Sequence, residues 1–71
     1  MNIYHLTRLN DVLYDENESF VIADYDTYNA MALANDNCAD EGRIWMCDEL
    51  IKVTPIGTYI GEKNTPHIIQ V

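Results

Sequence analysis

Phe20-Val21-Ile22-Ala23, followed at once by Asp24-Tyr25-Asp26-Thr27, is the stretch that decides the fold. The first four residues form a short apolar run of strand length, too short to make a helix of its own. They predict a central strand, buried on both faces or nearly so. The next four carry helix-start chemistry. An Asp26 or Thr27 side chain accepts hydrogen bonds from amide groups that the first turn of a helix leaves without partners. A helix is therefore expected near residues 27–37. Ala30, Leu33 and Ala34 recur at spacings of three and four and share one face. That face should lie on a sheet, and its alanines allow a close approach. Asn35-Asp36-Asn37 then ends the helix, because short polar side chains compete for backbone hydrogen bonds.

Working outward, Ile3-Tyr4-His5-Leu6-Thr7 reads as a first strand, with Tyr4 and Leu6 on one face and Ile3 and His5 on the other. Asn10-Asp11 breaks it. Residues 11–18 form a long connection rich in carboxylates, pinned by Val12, Leu13 and Tyr14. Residues 35–43 form a second polar stretch, and Ile44-Trp45-Met46 is an apolar patch too short to assign. Ile51-Lys52-Val53-Thr54 alternates cleanly and predicts a third strand, continued by Ile56-Gly57-Thr58-Tyr59-Ile60. Pro55 lacks a ladder donor, which places this strand at an edge or at a bulge. Gly61 to Pro66 is a turn cluster, and His67-Ile68-Ile69-Gln70-Val71 is the last strand. The expected architecture is one α+β domain over residues 1–71. It is a small antiparallel sheet, with elements in the order β-β-α-β-β and one helix packed on one face.

Composition narrows the function. A domain of 71 residues must commit nearly every large apolar side chain to its core, which leaves nothing for a deep substrate cavity. Twelve carboxylates face four cations, Arg8, Arg43, Lys52 and Lys63, for a net charge of −8. Four scattered cations make no basic patch, so direct binding to nucleic acid or to a membrane surface is not expected. A field of this sign favours a basic partner, or else it serves solubility alone. The chain has no long apolar run and no apolar leader near Met1, so a cytoplasmic protein is expected.

No residue set announces catalysis or cofactor binding. Cys38 and Cys47 lack the close pairing of a zinc knuckle and are expected as reduced, metal-free thiols. Ser19 has no nucleophile elbow around it. The adjacent acids Asp15/Glu16, Asp40/Glu41 and Asp48/Glu49 sit on polar stretches, where neighbouring side chains seldom converge on one bond. Asp24 and Asp26 lack the ligand ladder of a calcium loop. The three separated glycines make no phosphate loop. Neither an enzyme nor a cofactor is expected. Tyrosines beside carboxylates do suit an interface with arginines. The candidate partner-binding residues are therefore Asp11, Tyr14, Asp15, Glu16, Glu18, Asp24, Tyr25 and Asp26.

Ile3-Tyr4-x-Leu6-x-Arg8 and Val12-x-Tyr14-Asp15-Glu16 resemble a group of short open reading frames of phages and prophages. The likeness continues through Phe20 to Ala23, the helix with Ala30, Leu33 and Ala34, Asp40-Glu41-Gly42, Trp45 and Val53-x-x-Ile56-Gly57. The helix departs from that pattern at Asn29, Met31 and Ala32, where glutamates and an arginine are usual. The resemblance implies a phage setting, in which small acidic proteins inhibit host defence or host nucleic-acid machinery, as anti-CRISPR proteins do. The expected function is a phage-encoded inhibitor that binds a basic surface of a host nucleic-acid-handling protein, foremost a CRISPR effector subunit, in the host cytoplasm. The competing expectation is a non-enzymatic module that binds through a sheet edge or self-associates as a homo-oligomer.

Overall fold

A computed structural model describes residues 1–9, 17–38 and 42–71. Its described elements are β1 (Asn2–Arg8), β2 (Ser19–Asp24), α1 (Thr27–Asp36), a 3-10 turn at Ile44–Met46, β3 (Ile51–Thr58) and β4 (His67–Gln70). The four strands form one antiparallel sheet in the order β3-β1-β2-β4. The α+β architecture expected from the sequence is thus the observed one. The Phe20-to-Ala23 run lies in an interior strand, and its Phe20, Ile22 and Ala23 are fully buried.

Alternation explains which side the helix covers. Tyr4, Leu6 and Arg8 of β1 are buried, whereas Ile3, His5 and Thr7 on the other face are half-buried. Leu6 pairs with Phe20 on β2 and with Val53 on β3, which continues the covered face across the sheet. Above this face α1 lays down Ala30, Met31 and Ala34, all buried. The helix is rolled relative to the expected face, because Met31 takes the buried place and Leu33 is only half-buried. Trp45 fills the space beside the helix. Its ring meets that of Phe20 edge-to-face, with centroids 4.7 Å apart and planes at 83°, a geometry that the ring quadrupoles favour. The short patch around Trp45 is therefore the plug that closes the core between α1 and the start of β3.

The ends of α1 follow from its capping residues. The Asp26 carboxylate accepts from the Asn29 backbone amide at 2.7 Å and from the Asn29 side-chain amide at 2.9 Å. At the far end, Asn37 donates its side-chain amide to the Leu33 carbonyl at 2.8 Å. Asn37 thus satisfies one of the carbonyls that a helix end exposes.

Pro55 behaves as its missing donor requires. It lies in an edge strand, and the register between β1 and β3 shifts beside it, so that Ile3 faces Gly57 while Tyr4 faces Pro55. Residues 59–66 then cross from one edge of the sheet to the other. The Tyr59 ring meets the His67 ring edge-to-face at 4.7 Å, and the Tyr25 hydroxyl donates to the Asn64 carbonyl at 3.1 Å. A Cβ on Gly61 would run into the Tyr59 phenol, so a larger residue there would have to push the end of that side chain aside.

Candidate interaction surface

Strand directions sort the charged residues into two ends. At the first end, Arg8 of β1 pairs with Ile51, which starts β3, and Thr7 pairs with Ser19, which starts β2. The backbone amide of Arg8 donates to the Glu18 carbonyl at 3.1 Å, and that of Leu9 donates to the Leu50 carbonyl at 2.8 Å. At the second end lie Asn2, Asp24, Thr58 and His67. The helix begins there, after the Tyr25–Asp26 corner. Ten helical residues return over about 15 Å, close to the length of β2, so α1 finishes over the first end.

The first end therefore carries Glu18, Asp36, Asp48 and Glu49, all exposed. Their side chains make no ion pair among the described residues. The segments 10–16 and 39–41 leave and rejoin the described chain at this same end. Asp11, Tyr14, Asp15 and Glu16 fall in the first of them and lie outside the described residues, as do Asp40 and Glu41 in the second. Arg8 is the one cation drawn inward here, at 7% exposure, on the covered face of the sheet. Lys52 and Arg43 remain exposed.

The other candidate residues sit at the second end and differ in what they do. Asp24 is 2% exposed, and its carboxylate accepts from the Tyr25 amide at 2.6 Å. It shapes the corner from inside rather than facing outward. Asp26 is exposed and caps α1. Tyr25 is exposed with its hydroxyl tied to Asn64, and Tyr28, one turn on, is 68% exposed. The fold ties Tyr25 to Asn64 of the crossing segment and places Glu18 at the opposite end of the sheet.

Reading the sequence as a line singled out Glu18 and missed Asp36, Asp48 and Glu49 as its companions. The order β-β-α-β-β contained the signal. Each reversal returns the chain to one end, so the connection after β1 and the one after α1 open on the same side.

The described residues hold no group of three or more His, Cys, Asp or Glu side chains placed to bind a metal ion. Cys38 and Cys47 are free thiols. The buried Cys38 donates to the Asn35 carbonyl at 3.1 Å. No described helix is long and apolar enough to cross a membrane. Comparisons with protein-family models, curated proteins and solved structures found no match to this chain.

Proposed function

We propose that this chain is a non-catalytic inhibitor that presses its acidic end onto a basic surface of a nucleic-acid-handling protein. One observation carries the reading. Glu18, Asp36, Asp48 and Glu49 are exposed together at the end where the carboxylate-rich segments 10–16 and 39–41 join the described fold. Like charges gathered this way repel one another in the isolated domain, and a surface rich in Arg and Lys turns that repulsion into attraction. Sites that normally hold phosphates have such surfaces. The resemblance to phage open reading frames makes a CRISPR effector subunit the first partner to test, with the host cytoplasm as the setting. Tyr14 is the proposed flanking contact of this end, whereas Tyr25 and Asp26 lie at the opposite end and are not part of the proposed contact, Asp24 supporting Tyr25 there from within the corner.

The test neutralises Asp11, Asp15, Glu16 and Glu18 together as their Asn and Gln isosteres. Affinity for the basic partner is expected to fall at least about tenfold, roughly 1.4 kcal/mol, and most at low salt. Equal affinity of variant and parent at low and high salt would remove the acidic end from the mechanism.

A further inference from the structure

The stretch from Tyr59 to Val71 adds a strand to the sheet but almost nothing to the core. None of its residues is buried, residues 60–66 are all exposed, and only Ile68 packs partly against the core. β4 pairs with β2 at three positions, with a register shift between Val21 and Ile22. β1, by contrast, pairs on both sides over residues 2–7.

What holds the stretch down is gathered at the second end. Tyr59 leaves β3 at one edge of the sheet and His67 opens β4 at the other, yet their rings meet at 4.7 Å. With its hydrogen on Nδ1, His67 donates to the Thr65 carbonyl at 2.9 Å. The Tyr25 hydroxyl donates to the Asn64 carbonyl. Pairing places Ala23 beside Ile3 and His67, on the face away from α1. No described helix covers that face, but Ala23 is fully buried there.

We propose that residues 59–71 form a latch that opens as one unit while β3, β1, β2 and α1 stay folded. The Tyr59 and His67 rings are its clasp, closed across the ends of the two inner strands and over Ala23. Few apolar contacts, exposed backbone and a short, shifted ladder are the properties of a segment that opens without global unfolding. The ring contact and the two hydrogen bonds oppose that opening. Opening uncovers Ala23 and turns β2 from an interior strand into an edge strand. The latch belongs to the second end and does not rest on the acidic end proposed above.

Native-state hydrogen exchange on the unmodified chain, followed in low urea, reads the latch directly. Protection of the β4 amides should lie at least about 30-fold below that of β1. It should depend little on urea, because opening exposes little surface, whereas β1 protection falls steadily as urea rises. Two variants then separate the clasp from the core. His67→Ala destabilises the closed state and should lower β4 protection at least about fivefold. Ile51→Val, in the core at the first end, should lower β1 protection about two- to tenfold and leave β4 unchanged. Equal protection and equal urea dependence in β4 and β1 would overturn the latch. So would β4 amides that exchange as fast as an unstructured peptide, β4 protection unmoved by His67→Ala, or Ile51→Val lowering β4 as much as β1.

Discussion

At the end of the sheet where β2 passes into α1, the carboxylates of Asp24 and Asp26 accept hydrogen bonds from the chain itself, at 2.6 and 2.7 Å. At the opposite end, Glu18, Asp36, Asp48 and Glu49 are exposed, and their side chains make no hydrogen bond or ion pair among the described residues. In the sequence these acids look alike. In the fold, one set holds a corner together and the other set is left to face whatever approaches. The difference teaches that an acidic composition is not one property. Part of it is consumed by architecture, and only the remainder is available for recognition.

The comparison depends on both ends hanging from one core, and that premise carries the largest expected effect. Phe20→Ala removes the ring that meets Trp45 at the centre of the covered face. We expect a loss of about 3–5 kcal/mol, seen as a lower midpoint in urea denaturation. A loss below about 1 kcal/mol would mean that the two ends are held by something other than this core.

The next effect separates recognition from architecture. Converting Glu18, Asp36, Asp48 and Glu49 to their amide isosteres should weaken binding to a basic partner by at least about tenfold, or 1.4 kcal/mol. Calorimetric titration of parent and variant checks this. The same conversion at the corner has a different expected outcome. Asp26→Ala should cost about 1 kcal/mol of stability through loss of the helix cap. Asp26→Asn should cost little, because asparagine caps nearly as well as aspartate. Thermal melts of the two variants read the cap, and any change in affinity for Asp26→Asn then reports its charge alone.

The smallest effect closes the comparison. The four amide isosteres at the acidic end should change the stability of the isolated domain by no more than about 0.5 kcal/mol, with any change upward as repulsion is relieved. Added salt should raise the stability of the parent chain more than that of the variant. A clear destabilisation of the variant would show that these acids, like Asp26, belong to the architecture.

Much of the fold was legible because local chemistry and tertiary structure agree. The Phe20-to-Ala23 run is an interior strand with Phe20, Ile22 and Ala23 buried and Val21 half-buried, Asp26 caps the helix, and Pro55 marks an edge strand with a register shift. The parts that were not legible depend on side chains distant in sequence. Nothing local to Ile44-Trp45-Met46 says that Trp45 closes the core against Phe20. Arg8 and Asp24 are polar residues that alternation carries onto the covered face. Their burial follows only once the strand boundaries are fixed. Asp36, Asp48 and Glu49 join Glu18 through strand reversal, a property of topology rather than of spacing. The helix roll that buries Met31 in preference to Leu33 depends on how the core is filled around Trp45.

The most direct test of the central claim is a paired capture from a lysate of the host that the proposed phage setting implies. The parent chain and the variant with Glu18, Asp36, Asp48 and Glu49 as amides are immobilised side by side. Each is loaded at ~0.05 M salt and eluted toward ~0.5 M. The account predicts that the parent retains a basic nucleic-acid-handling protein, that this protein leaves as salt rises, and that the variant fails to retain it. Retention of the same protein by both chains, unaffected by salt, would contradict the account.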